Sequence, residues 1–344
     1  MEQKKHKILC VTIVLGIVML AVTSCNKDDA EPQEPLLTTE ELQGPLVTAT
    51  EVGSYQFINK VSFTKKGDGH ITRFQALMPI AQTNLYQRVD NVICNGAQVL
   101  TDKNYGNQVL YTDRQDFPGN TYELETIYNV HPIKVKVDVS QIKDIKPYDP
   151  NSEPCKRHLG DRGEYIVTTN PYIVAKGDEL WKQSSDLLDY ARRCYEFVAK
   201  NFRYIKGPWR TLDKILKDGG GECGDFSTLV VNLLRYKGIP SRHNLCLRLD
   251  GGYHVWVDFY LEGYDWIPLD AQYKNGDPKG DYFGVYDGAC VVVMQDFCYD
   301  FGVELPLDID LLQTYYYWYW GDCEITSYHD FHKKSYHYSL RKPL

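Results

Sequence analysis

The sequence has no excess of basic residues. There are 38 Lys and Arg against 46 Asp and Glu, a net charge of −8 over 344 residues. The electrostatic footprint of a nucleic-acid binder is therefore missing. No Cys-x-x-Cys pair occurs, so structural zinc and dithiol redox chemistry lack their usual signature. There is no internal repeat. No apolar run reaches the about twenty residues that span a bilayer. What is there is a globular composition, 43% hydrophobic and 24% charged, neither disordered nor fibrous. The length suggests about two domains and excludes a mini-protein held only by disulfides. Two counts stand out, 27 Tyr and 10 Cys.

Lys4, Lys5 and Lys7 precede an apolar run from Ile8 to Val22, and Val22-Thr23-Ser24 leads into Cys25. That charged, apolar, small-residue order is a secretory signal. Val-Thr-Ser-Cys resembles a bacterial lipobox, which implies a lipoprotein signal peptide over 1–24 and lipidation of Cys25. Residues 25–46 are acidic and proline-containing, and read as a disordered tether. Lys27-Asp28-Asp29 resembles the acidic tag of some surface-displayed bacterial lipoproteins. The expected location is the cell envelope, lipid-anchored to the outer membrane and open to surface display. Membrane contact is expected through the lipid alone.

Residues 47–145 alternate apolar and polar, as in Val61-Ser62-Phe63-Thr64 and in Ile133 to Val139, with glycine turns between. This predicts an antiparallel β domain of sandwich type. Residues 146–344 are expected to form a second domain with an aromatic C-terminal extension. The spacing from Asp178 to Tyr204 predicts one amphipathic helix. Phe226, Leu229, Val230, Leu233 and Leu234 predict a second helix, stopped by Gly238 and Pro240. Strands are expected at His243–Leu249, Tyr253–Leu261 and Tyr264–Ala271.

Cys223 stands where Gly219-Gly220-Gly221 becomes a helix. Free backbone N–H groups at a helix start favour an anion, so a thiol there is biased toward the nucleophilic thiolate. The same N–H groups can serve an oxyanion. The flanking glycines suggest room for a substrate backbone. A nucleophile also needs a base and a group to orient that base. If Glu262-Gly263 turns a hairpin with Tyr260 facing Tyr264, His254 lies opposite Asp270. Trp256 shares the face of His254 and could wall a cleft. Asp225 in the first helical turn suits the helix dipole. His243 reads as structural, and Asp258 as exposed.

The blocks Gly221-Glu222-Cys223-Gly224-Asp225-Phe226, Gly238-Ile239-Pro240-Ser241-Arg242, Tyr253-His254-Val255-Trp256 and Trp266-Ile267-Pro268-Leu269-Asp270 resemble the core of the transglutaminase-like superfamily. The resemblance covers roughly residues 180 to 300. It implies an α+β, papain-like fold following the β domain. It also implies Cys223 as nucleophile, His254 as acid/base and Asp270 as orienter. Tyr204 and Trp209 are the candidates for a side chain near the oxyanion. No cofactor or metal is implied. The reading is a cysteine peptidase or amidase acting on peptide or protein amides. The alternatives are a cross-linking acyl transferase and a non-catalytic peptide- or glycan-binding surface lipoprotein.

The run Tyr315 to Trp320 is compatible with sugar binding, but an aromatic strand packed on the core explains it more simply. His329, His332 and His337 lack a carboxylate or Cys at metal-site spacing. Cys194 and Cys246 occupy apolar-face positions and read as buried hydrophobes. Any disulfide would fall among Cys155, Cys290, Cys298 and Cys323.

Overall fold

A computed structural model of the chain describes residues 46–335 except Gly96. The segment expected as a signal peptide, Cys25 and all of the expected tether but Leu46 lie outside the described residues. Among the described residues no helix is long and apolar enough to cross a membrane.

The alternating segments are strands, and the molecule is α+β with mostly antiparallel sheets. One sheet runs in the order Val47–Glu51, Thr121–Val137, Tyr55–Lys66, Glu324–Ser335, and Gln87–Cys94 and Val285–Tyr286 also pair with its longest strand. A second runs Tyr316–Gly321, Ile71–Ile80, Gln108–Arg114, Gln98–Thr101. Period two sends Val61, Phe63 and Leu124 of the first sheet into one core with Phe74, Ala76 and Met78 of the second. Each of these side chains except Ala76 contributes about 1.5–3 kcal/mol by leaving water.

The aromatic extension does not stay with the helical part of the chain. Tyr316–Gly321 pairs with Ile71–Ile80, and Glu324–Ser335 pairs along the whole of Tyr55–Lys66. Tyr315 and Tyr317 pack on Phe63, at 6.0 and 5.1 Å between ring centroids. The aromatic run is thus a sheet strand, with one row of rings turned to the core.

The segment expected as a single helix over 178–204 is two, Pro171–Trp181 and Leu187–Asn201. Apolar spacing runs through the break, but the backbone does not. The Ser184 hydroxyl bonds back to Leu180 O at 2.8 Å, and the Asp186 carboxylate caps the new helix at Asp189 N, also 2.8 Å. The helix Cys223–Tyr236 ends as its Gly238 implies, with φ of +75° there. It packs on a four-stranded sheet in the order Asp265–Leu269, Tyr253–Leu261, Ser241–Arg248, Cys290–Gln295. The last of these strands was not read from the sequence. Leu245, Leu247, Val255 and Val291 of this sheet share a core with Phe57, Leu77 and Tyr128 of the N-terminal sheets. Asp258, expected to be exposed, is fully buried and joins the two halves. It accepts from Tyr86 OH and, at 3.1 Å, from Arg242 Nε.

A buried ionic cluster braces the edge of the sheet. Asp296 Oδ2 meets His158 Nδ1 at 2.8 Å and Arg235 Nη2 at 2.6 Å, while its Oδ1 lies 3.9 Å from His243 Nδ1. Burial pushes both imidazoles down to about 4. Histidine in the unfolded chain titrates near about 6.5. Between those values the unfolded state binds more protons, so stability is lost as pH falls through the window. The urea midpoint should therefore be lower at pH 5 than at pH 7, and His158→Gln should shrink that difference. A midpoint that does not move over this range would contradict the assignment.

Candidate active site

Cys223 opens the helix Cys223–Tyr236, with Glu222 as N-cap. The loop before it is tied on both sides. The Asp225 carboxylate accepts the backbone N–H of Glu222 and that of Arg210, each at 2.9 Å, and pairs with Arg210 Nη1 at 2.7 Å. The Glu222 carboxylate accepts from Gly207 N at 3.0 Å. Asp225 is thus more than a complement to the helix dipole. Burial pushes its carboxyl upward, and the Arg210 contacts oppose that.

The glycines serve the protein's own packing. Gly220–Gly221 runs parallel to Arg203–Tyr204, and a Cβ on Gly220 would fall 1.9 Å from Arg203 O. A Cβ on Gly224 would fall 2.5 Å from the Trp209 ring. Asp225→Ala strands the buried Arg210 guanidinium without its closest partner. Arg210 keeps Asp218 at 3.3 Å, so the cost should be about 1–3 kcal/mol, read as a lower denaturation midpoint at unchanged slope. A loss below about 1 kcal/mol would refute that role.

His254 lies on Tyr253–Leu261, opposite Cys246. Its Nε2 meets Asp270 Oδ2 at 2.5 Å, and Cys223 sits near enough to favour the protonated ring. With Nε2 held by the carboxylate, Nδ1 is the nitrogen left for the thiol. Cys223, His254 and Asp270 are thus brought together. The pairing behind this differs from the expected register. Leu261 faces Asp265 and Val257 faces Leu269, a slip of two residues. A slip of two keeps every side chain on its face. Asp270 lies beyond its strand, as N-cap of the short helix Ala271–Gly276. Its Oδ1 accepts Tyr273 N at 2.9 Å, which aims Oδ2 at the imidazole. Burial alone would lower the affinity of His254 for its proton. Asp270 and Cys223 outweigh burial and hold it well above the ordinary value.

A model of the transglutaminase-like superfamily matches residues 175–271, which include Cys223, His254 and Asp270. This segment is a transglutaminase-like domain. A solved structure from Cytophaga hutchinsonii, described as a candidate cysteine protease, superposes with a TM-score of 0.59. It covers 86% of this chain and 95% of that one at 13% identity, a likeness of fold alone. The periplasmic domain of TgpA from Pseudomonas aeruginosa covers 74% of this chain and 96% of its own, at 14% identity and a TM-score of 0.36. An uncharacterized Haemophilus influenzae protein is 24% identical over 240 residues, 56% of this chain. That match spans 62% of the relative's own length, less than two thirds.

In the transglutaminase-like domain the other proposed site residues separate. Tyr204 is 53% exposed and stands beside Gly221 in register, near enough for Glu222 and Cys223 to act on its hydroxyl. Trp209 is not placed as an oxyanion donor. Its N–H is spent on Thr228 Oγ1 at 3.4 Å, and its ring packs on Gly224 and Phe297. Trp256 does wall a cavity. It is buried, lies 6.3 Å from the His254 ring, and lines a space of about 110 Å³ that His254 and Asp270 also border.

Three supporting residues escaped the sequence reading. Tyr273 stacks on His254 at 4.4 Å and 12°. Arg248 donates to Tyr273 OH. Gln313 Nε2 donates to His254 O at 3.0 Å and Cys246 O at 2.9 Å, clamping the active-site strand. Tyr273 had a local signal, since an Asp capping the residue three ahead is a common helix start. Gln313 had none.

Cys155, Cys290, Cys298 and Cys323, the four considered for disulfides, are free thiols. Cys194 and Cys246 are buried, as their positions implied. His329 bonds Asn59 Oδ1 at 2.7 Å and His332 meets Asp330 at 3.2 Å, while His337 lies outside the described residues.

Proposed function

We propose that this chain is a cysteine enzyme that cleaves peptide or protein amides through a thioester at Cys223. One arrangement carries the reading: His254 is hydrogen-bonded to Asp270 and has beside it Cys223, the first residue of a helix. With the proton already on the His254 imidazole, the Cys223 thiolate attacks the amide carbon. The carbonyl oxygen becomes an oxyanion beside the unpaired N–H groups of the first helical turn. The C–N bond then breaks, and His254 returns the proton to the leaving amine. In the second half His254 removes a proton from water, the hydroxide attacks the thioester, and the sulfur leaves. Asp270 keeps the imidazole oriented. Tyr204, in register beside Gly221, is the side chain proposed for the oxyanion.

The description of the Cytophaga hutchinsonii protein as a candidate cysteine protease agrees with this chemistry. The sequence from Lys4 to Cys25 supports export and lipid anchoring at the outer membrane. The test is product analysis by mass spectrometry on a peptide library, with and without added primary amine. Shorter acids report hydrolysis, and amine adducts report acyl transfer. No Cys223-dependent product of either kind would leave a non-catalytic binding protein.

A further inference from the structure

The cavity beside the imidazole has no part in the steps above. Its walls are four aromatic rings, Trp256, Tyr273, Tyr282 and Tyr286, with Asp281 and Asp287 among its other lining residues. Trp256 and Tyr286 stack at 4.6 Å and 21°, and Tyr273 meets Tyr282 edge-on at 5.5 Å. At about 110 Å³ the space holds several water-sized groups.

The charges around it do not cancel. Asp270 is matched by His254, and Asp281 by Arg192 at 2.6 Å. Arg248, the cation bound to Tyr273, is neutralised by Asp250 through two bonds of 2.8 Å. Asp287 has no ion-pair partner among the described residues. Its Oδ1 accepts only a backbone N–H, that of Ala289 at 2.9 Å. Its charge reaches Tyr273, Tyr282 and Tyr286, adding to what burial and hydrogen bonding already do to hold their hydroxyls protonated. Aromatic faces beside one uncompensated carboxylate attract a cation with an apolar stem. An anion would meet three carboxylates there.

We propose that this cavity binds a cationic side chain of the substrate, of the lysine class. The alkyl stem lies along the rings and the ammonium meets Asp287. The proposal rests on the function argued above only in making the occupant part of a substrate.

The test uses the full-length Cys223→Ala protein, so that turnover plays no part. It is titrated by calorimetry with n-butylammonium and with 1-butanol, which matches it in size without the charge. The ammonium should bind at least about ten-fold more tightly, the size of a cation–π contact aided by one carboxylate. Asp287→Asn in the same background should bring the two affinities within about two-fold. Asn retains the acceptor for Ala289 N–H, so the unfolding midpoint should stay in place. Equal binding of the two probes, no ammonium binding in the millimolar range, or a preference that survives Asp287→Asn would each overturn the proposal. If the enzymatic reading fails, the failure appears instead as absent Cys223-dependent cleavage by the native chain, with ammonium binding intact.

Discussion

Cys223→Ala should lower amide cleavage by at least about 10⁴-fold, because no other group at the helix start can form the thioester. The side chain is only half-buried, so the unfolding midpoint should shift little. Initial rates and thermal unfolding of the same preparation separate the two effects. Cleavage that persists within about ten-fold of the native rate would place the nucleophile elsewhere.

Asp270→Asn is the second large effect and the more diagnostic one. Asn can still accept from Tyr273 N, so the cap of Ala271–Gly276 survives. Toward His254 it presents an N–H in place of an acceptor. The imidazole must then carry its proton on Nδ1, where it cannot receive one from the thiol. A fall in kcat of about 10³–10⁴-fold is expected with KM little changed. A change in pH dependence accompanies it. Asp270 favours the protonated imidazole, so its loss lets burial lower the affinity of His254 for its proton. The thiolate then loses part of its imidazolium partner, so the onset of Cys223 alkylation by iodoacetamide should move to higher pH. Stability follows the same sign. The native His254–Asp270 pair contributes fully below the unfolded histidine value of about 6.5 and fades as pH rises through the elevated native value. Asp270→Asn should lose most in the acid half of that range. A profile unmoved by Asp270→Asn would show that the 2.5 Å contact does not tune the histidine.

Cys223, His254 and Asp270 were legible because each sits in a short block whose local structure is self-contained. These are a glycine loop running into a helix, a strand, and a strand ending at a cap. Even the register error between the two strands did no harm, since a two-residue slip leaves His254 on its face. What stayed hidden depends on partners far along the chain. Asp258 looked like a surface residue until Tyr86, 172 positions earlier, was seen to bury against it. Trp209 read as a side chain near the oxyanion, but its surroundings are Gly224, Thr228 and Phe297. The break at Ser184–Asp186 was masked by apolar spacing that continues across it, because burial pattern and backbone continuity are separate properties. The aromatic run from Tyr315 to Trp320 could be read as a strand, but its pairing with Ile71–Ile80 could not.

That pairing has a consequence for the order of assembly. A chain made only as far as residue 271 already holds the thiol, the imidazole and the carboxylate. It still lacks Gln313, which fixes the backbone of His254 and Cys246, and it lacks the strands that flank Tyr55–Lys66 and Ile71–Ile80. Closing loops of more than two hundred residues is entropically slow. The Cys223 sulfur therefore receives its full framework only after residues 313–335 have been synthesised, so organisation of the site is timed by these late strands.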